Sequence, residues 1–199
     1  MIKLVIFDIG NVILRFDHHK TCKRLAHHSP YSPEEIYTMV YKNSLLGQYE
    51  QGQITSMDFF SKLKKKLDLD IGYAYFYPIW SDIFTLIEGM ENIIFSLESK
   101  VKLYALSNTD ALHFKYLKNK FSIFDCFNQF ILSYEVGACK PDKKIYKKAL
   151  TTAGVEAHEA FFTDDIADNV TPFLDMGGKG TVFQGPDKLK ETLSGLGLL

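Results

Sequence analysis

Short apolar runs that fail to alternate constrain this chain more than any other feature. Leu4–Phe7, Val101–Leu106, Gln129–Leu132 and Ala160–Thr163 are runs of four to six residues, and Gly180–Phe183 is a weaker fifth. A strand with one face in water alternates apolar and polar residues, whereas one buried on both faces does not. Stretches with helical spacing lie between the runs: Asn92–Ser99, Ala111–Phe121, Lys143–Ala153, Ile166–Met176 and Asp187–Leu196. Asp142 is placed to cap the third of these and Gly154 to end it. Strand followed by helix, repeated, predicts an α/β fold built on a doubly wound parallel sheet.

Residues 16–87 break that rhythm. They predict no strand but several amphipathic helices, at Asp17–His28, Pro33–Leu46, Ser56–Leu67 and Ala74–Leu86. Gly47 and Gly52 frame an expected loop, and Thr55 with Asp58 resembles a capping box. Tyr73, Tyr75, Phe76, Tyr77 and Trp80 crowd one short stretch, which suits the core of a small helical bundle. The expected organisation is a sheet domain of residues 1–15 and 88–199, interrupted after its first strand by a helical domain of residues 16–87. At 199 residues the chain has room for one core and one insert.

Composition narrows the partners. With 23 basic and 24 acidic side chains, the formal net charge of −1 gives no basic footprint for nucleic acid or an anionic membrane. No apolar run approaches the ~18–20 residues needed to cross a bilayer. Met1-Ile2-Lys3 leads into an apolar run too short for a signal-peptide core. Cys22, Cys126 and Cys139 are odd in number and widely spaced, which suits neither a disulfide framework nor a zinc site. A reduced, cytoplasmic protein is expected.

Ligands of parallel sheets bind at the carboxyl ends of the strands, so the residues after each run matter most. Asp8-Ile9-Gly10-Asn11 follows the first, Ser107-Asn108-Thr109 the second, and Asp164-Asp165 the fourth, while Lys140-Pro141 precedes a long helix. Each alone is ordinary turn or cap chemistry. Adjacent carboxylates at a strand end repel one another unless a cation lies between them. Together, Asp8, Asp164 and Asp165 suit Mg2+, a Ser hydroxyl suits phosphate, and Lys140 balances the charge. Asp8 is then a nucleophile for phosphoryl transfer.

This order of motifs resembles the haloacid dehalogenase-like (HAD) hydrolase superfamily over essentially the whole chain. The narrower likeness is to bacterial alpha-D-glucose-1-phosphate phosphatases, carried by Phe7–Val12, Tyr49–Ile54, Leu106–Thr109, Gly137–Pro141 and Phe161–Asn169. The resemblance implies a Rossmann-like core with a C1 cap and a Mg2+-dependent phosphatase acting on a small phosphomonoester such as a sugar phosphate. It implies Asp8 as nucleophile and metal ligand, the Gly10 backbone carbonyl as a second ligand, and Ser107 and Asn108 on the phosphate. Lys140 would pair with Asp8 and the transferring group. The fourth motif has two registers, Asp164 with Asp168 or Asp165 with Asn169. The second is favoured, with Asp165 as direct ligand and Asp164 supporting it, directly or through water. Neither nucleic acid nor membrane is an expected partner, and the chain is expected as monomer or homodimer.

One position departs from the superfamily pattern. Most of its phosphatases carry a second Asp two residues after the nucleophile, as proton donor to the leaving oxygen, and Gly10 stands there. General acid–base catalysis contributes ~10²–10⁴-fold. The narrower group also carries Gly there, which argues against a dead enzyme. The sequence leaves open a bias toward good leaving groups, such as an anomeric oxygen, or a proton from Glu50 or a nearby tyrosine. A metal-free 2-haloacid dehalogenase and a non-catalytic binding protein are the alternatives. His18-His19 and His27-His28 lack metal-ligand spacing, and the lysines from Lys62 to Lys66 suit a solvated helix face. Cys139 beside Lys140 suggests a lowered thiol pKa, and His113 reads as a helix-surface residue.

Overall fold

The computed structural model describes residues 1–199. Leu4–Phe7 forms β1, flanked by β4 (Lys102–Ser107) and β6 (Ala160–Asp164), with Leu4 in register with Lys102 on one side and Ala160 on the other. Adding β5 (Gln129–Leu132) and β7 (Lys179–Val182) gives a five-stranded parallel sheet of order β5-β4-β1-β6-β7. The doubly wound sheet expected from the unalternating runs is the observed architecture. Alternate residues of each strand enter separate cores. Val5, Phe7, Leu103, Ala105 and Phe161 pack with α6 (Met90–Glu98) and α11 (Pro186–Gly195), joined by Leu117 of α7 (Ala111–Lys120). Leu4, Ile6, Tyr104, Leu106 and Phe162 face α9 (Lys143–Ala153) and α10 (Ala167–Asp175). Asp142 caps α9 through Lys144 N, and Gly154 ends it in the left-handed region, as the sequence predicts.

Between β1 and α6 the chain builds a second layer. It runs through β2 (Leu14–Phe16), α1 (His18–Ala26), α2 (Pro33–Tyr41), α3 (Ser44–Glu50), α4 (Ser56–Leu67), α5 (Tyr73–Ser81) and β3 (Phe84–Leu86). The five helices enclose their own apolar cluster, in which Tyr49, Phe59, Phe76 and Trp80 are fully buried. The Trp80 ring lies 4.9 Å from Phe59 and 5.6 Å from Phe76, so this stretch of aromatics is core, with Tyr75 left outside. The Thr55–Asp58 capping box forms reciprocally at the start of α4.

Three expectations fail here for local reasons. The helix predicted over Pro33–Leu46 breaks at Lys42, and Asn43 accepts from Leu45 N to start α3. The loop expected between Gly47 and Gly52 is mostly helix, since α3 continues to Glu50. The helix expected to reach Leu86 stops at Ser81, and residues 84–86 pair antiparallel with β2. Strands of three residues carry too little alternation to be read as a period; these two exist because they pair with each other.

The helical layer is pinned to the sheet layer beside the strand ends. The Tyr49 hydroxyl accepts a hydrogen bond from Leu112 N at the start of α7 (3.2 Å) and pairs with Ser56 Oγ (2.7 Å). Three residues on, Gly52 adopts φ +68°, and a Cβ there would lie 2.0 Å from the carbonyl oxygen of Tyr134 in α8 (Ser133–Val136). Gly52→Ala is therefore expected to destabilise the protein by at least about 2 kcal/mol, a loss of roughly 5 °C or more in Tm. Gly47→Ala, inside α3 with nothing within 4 Å of the added methyl, should leave Tm unchanged or raise it. Thermal denaturation of the two variants checks the contrast.

Candidate active site

Every strand end singled out by the sequence arrives at one edge of the sheet. Asp8 follows β1 and stays in the sheet through its N–H, which donates to Thr163 O at 2.9 Å. Its Oδ1 accepts from Ile9 N and from Lys140 Nζ, both at 2.7 Å. Lys140 Nζ also reaches Asp164 Oδ2 at 2.6 Å and the Leu106 carbonyl at 3.4 Å. The ammonium is therefore surrounded by oxygen, and it is 5% exposed. Burial alone would lower its pKa, but Asp8 and Asp164 more than reverse that and raise it.

The other partners divide the two neighbouring carboxylates sharply. Asp164 is fully buried and saturated: Oδ1 takes Ile166 N at 2.9 Å and Asn169 Nδ2 at 3.0 Å, while Oδ2 holds Lys140. Asp165 is half-buried and accepts only from Asn11 Nδ2, at 3.1 Å. Asn11 sits at φ +53°, a region Asn tolerates better than most residues. Oxygens of Asp8, Asp164 and Asp165 lie within 4.8 Å of one another. No hydrogen bond ends on the carbonyl of Gly10, two residues after Asp8.

Ser107, at the end of β4, is buried at the same edge. Asn108 is there too, but its side chain is used on the main chain of Lys140. Lys140 N donates to Asn108 Oδ1 at 2.7 Å, and Asn108 Nδ2 donates to Lys140 O at 3.0 Å. This two-way clamp holds the lysine backbone where its side chain can reach both aspartates.

The donor set fits a small, hard divalent cation. Three carboxylates face one ammonium, and Asp165 has only an amide for company. Asp8 registers the imbalance: burial, followed by the charge on Asp164, pushes its pKa up to about 6 despite Lys140. Carboxylate and carbonyl oxygens without sulfur or imidazole are the ligands Mg2+ takes.

Above the strand ends lies a cavity of about 90 Å3. Gly10, Ser107 and Asn108 form its floor, and Phe16, His18 and Glu50 are among the residues that close it from the helical layer. The lining by Phe16 and His18 was not legible in the sequence. Two expectations are corrected. His113 is buried, not on a helix surface: its Nδ1 lies 2.8 Å from Asp110 Oδ2 and its Nε2 2.9 Å from the Trp80 carbonyl. Asp110 also accepts from Trp80 Nε1 at 3.1 Å, tying α5 to α7. The signal available was Asp110 itself, a capping residue three positions before the histidine. The Cys139 thiol is pushed up rather than down, by burial and then by Glu50.

Residues 2–177 match the haloacid dehalogenase-like hydrolase family. The chain belongs to that family. Among characterised relatives it is 22% identical over 201 residues to drimenol cyclase drtB of Aspergillus calidoustus, covering 98% of this chain and 37% of the cyclase. It therefore spans well under half of that relative's length. It is 22% identical over 177 residues to D-ribitol-5-phosphate phosphatase of Bacteroides thetaiotaomicron, covering 85% of this chain and 86% of the phosphatase. A HAD family enzyme from the same bacterium, solved with magnesium and inorganic phosphate, superposes with a TM-score of 0.82 at 24% identity, over 93% of this chain and 96% of that one. At that identity the likeness establishes the fold of this HAD hydrolase. No helix is long and apolar enough to cross a membrane.

The cluster sets a stability test. The folded pKa of Asp8 lies above the ordinary range of an aspartate, so the native state binds more protons than the unfolded one. Stability from this group is full below pH ~4 and is lost as pH rises through about 6. In metal-free buffer at pH 7.5, Asp8→Asn should raise stability by on the order of 2 kcal/mol, about 5 °C in Tm, and the gain should vanish at pH 4. Lys140→Met should instead cost about 3–5 kcal/mol at pH 7.5, because it strands two buried carboxylates. Chemical denaturation at the two pH values measures both.

Proposed function

We propose that this HAD hydrolase is a Mg2+-dependent phosphomonoesterase of small phosphorylated metabolites, acting through an aspartyl-phosphate on Asp8. The observation that carries the reading is Lys140 bridging Asp8 and Asp164, with Asp165 held apart and uncompensated beside them. A metal-free dehalogenase gains nothing from that extra negative charge.

Asp8, the Gly10 carbonyl and Asp165 would hold Mg2+, with Asp164 behind them, saturated by Lys140, Asn169 and Ile166 N. Bound there, Mg2+ supplies charge neutralisation at the phosphoryl oxygens. One Asp8 oxygen attacks phosphorus, and the P–O bond to the alcohol breaks. Lys140 keeps Asp8 ionised and oriented and balances the transferring group. The Ser107 hydroxyl binds a phosphate oxygen. Asn108 belongs to the phosphate subsite but acts through its clamp on Lys140. Water then attacks the aspartyl-phosphate, releasing inorganic phosphate and restoring Asp8. Residues 16–87 act as a cap domain over the core of residues 1–15 and 88–199, and the small cavity between them favours small-molecule esters over macromolecules.

The favoured substrate class is a sugar phosphate. Support comes from the likeness of the motif stretches to glucose-1-phosphate phosphatases and from the polyol phosphate named for the Bacteroides relative. The test is phosphate release from glucose 1-phosphate, glucose 6-phosphate, ribitol 5-phosphate and p-nitrophenyl phosphate. Turnover should require Mg2+, disappear with EDTA and return on adding Mg2+ back. Asp8→Asn should lower kcat/KM by at least about 10³-fold. Halide release from a 2-haloacid in EDTA, without phosphate release from any ester, would replace this reading with the dehalogenase one.

A further inference from the structure

The leaving oxygen of an unactivated phosphate ester needs a proton, and the core offers none. Gly10 has no side chain, and the space for one is already taken: a Cβ there would lie 2.9 Å from Cε1 of Phe16. That ring is itself held, 4.8 Å from His18 and 6.2 Å from Phe84. The acid must come from elsewhere in the cavity.

We propose that Glu50, at the end of α3 in the helical layer, protonates the leaving oxygen in place of the carboxylate that Gly10 lacks. The proposal rests on the phosphomonoesterase reading and deepens it. Glu50 lines the same cavity as Gly10 and Ser107. It forms no ion pair, and no hydrogen bond to protein commits its carboxyl elsewhere. Its neighbours hold it in place: Tyr49 is bonded to α7 and Ser56, and Gly52 lies against Tyr134.

The charges around Glu50 are mixed. Asp110 from the N-terminus of α7 repels its anion, and His113 of that helix, paired with Asp110, attracts it. Cys139 in the loop before α9 faces it as a neutral thiol. Burial, then Asp110, lifts the Glu50 pKa to about 7, where a carboxyl can give and retake a proton at neutral pH. The other titratable groups in the cavity fail, His113 first, because both its ring nitrogens are already held, Nδ1 by Asp110 and Nε2 by the Trp80 carbonyl. His18 is pushed down to about 4 by burial and then by His113, so its ring is neutral and carries no imidazolium proton. Burial drives the Tyr41 phenol well above its ordinary value, making it a weaker acid still.

The step balances. Asp8 forms a bond to phosphorus as the P–O bond to the alcohol breaks, and the departing oxygen takes the Glu50 proton. Water next attacks the aspartyl-phosphate, and the Glu50 carboxylate removes a proton from it, which returns Glu50 to its starting state.

The test compares benzyl phosphate, whose alkoxide must be protonated, with p-nitrophenyl phosphate, whose phenolate need not be. In the wild type with saturating Mg2+, kcat/KM for the benzyl ester should fall as pH rises above about 7, while that for the nitrophenyl ester should not. Glu50→Gln should lower kcat/KM for the benzyl ester by about 10²-fold or more and abolish its alkaline fall. For the nitrophenyl ester kcat/KM reports only the steps through phenolate release, so it should change by less than about threefold even as slower dephosphorylation lowers kcat on both. Equal losses of kcat/KM on both esters, or an unchanged kcat/KM for the benzyl ester, overturn the proposal. Should Glu50→Gln not fold, the wild-type comparison decides alone, and identical pH profiles for the two esters overturn it. Wild-type turnover with an unselective Glu50→Gln removes only the acid assignment. No phosphate release from either ester by the wild type removes the phosphatase reading along with it.

Discussion

A single buried ammonium holds the strand-end carboxylates together. Lys140 Nζ lies 2.7 Å from Asp8 and 2.6 Å from Asp164. Without it, two aspartates from adjacent parallel strands would face each other in a buried site, where unpaired charge costs several kcal/mol. Parallel pairing of β1 with β6 forces that approach, because it sets Phe7 opposite Thr163 and delivers the following aspartates side by side. The lysine must then be fixed as firmly as the strands. The Asn108 clamp on its backbone does that, and it recruits β4, the strand on the other side of β1. Three strand ends thus converge on one side chain.

The ammonium is not enough to neutralise the site. Asp164 uses all its acceptor capacity on Lys140, Asn169 and Ile166 N, so it serves as an anchor for the lysine. Asp165, one residue on, points its carboxylate to a place where only Asn11 answers. Asp164 is taken up by its partners while Asp165 is left almost without them, and that division separates a lysine anchor from a free carboxylate within one dipeptide. The raised pKa of Asp8 follows from its burial and then from Asp164: the ion pair holds the site together while leaving it anionic.

The sheet was legible because its strands are buried on both faces and show it as unbroken apolar runs. The site was legible because parallel strands place their ends in one plane, so polar residues after separate runs could be assembled without coordinates. The helical layer was less readable. β2 and β3 are each three residues long and pair across the whole insert, so no local period announces them. The break at Lys42 and Asn43 depends on a cap that local spacing did not reveal against the apolar pattern running through Leu46. His113 was misplaced because its burial is set by Trp80, which reaches it only through tertiary packing at a ring distance of 5.2 Å. The resemblance puts Asn108 on the phosphate; the structure adds its clamp on the Lys140 main chain, which no sequence pattern records.

The pairing of Gly10 with Phe16 links the missing side chain to the helical layer. A carboxylate at position 10 would be carried by the rigid β1 loop and present whether or not the helical layer sat over the site. With Phe16 filling that space, an acid for the leaving oxygen has to come from elsewhere in the cavity, and Glu50 is placed there by contacts that cross to the sheet layer, Tyr49 to Leu112 and Gly52 to Tyr134. Those contacts exist only while the two layers are docked. An acid supplied this way makes proton delivery conditional on closure, so that cleavage of an unactivated ester and exclusion of water arrive together. Burial of Glu50, which raises its pKa to about 7, accompanies the same docking: the closed arrangement both positions the carboxyl and lets it hold and release a proton near neutral pH.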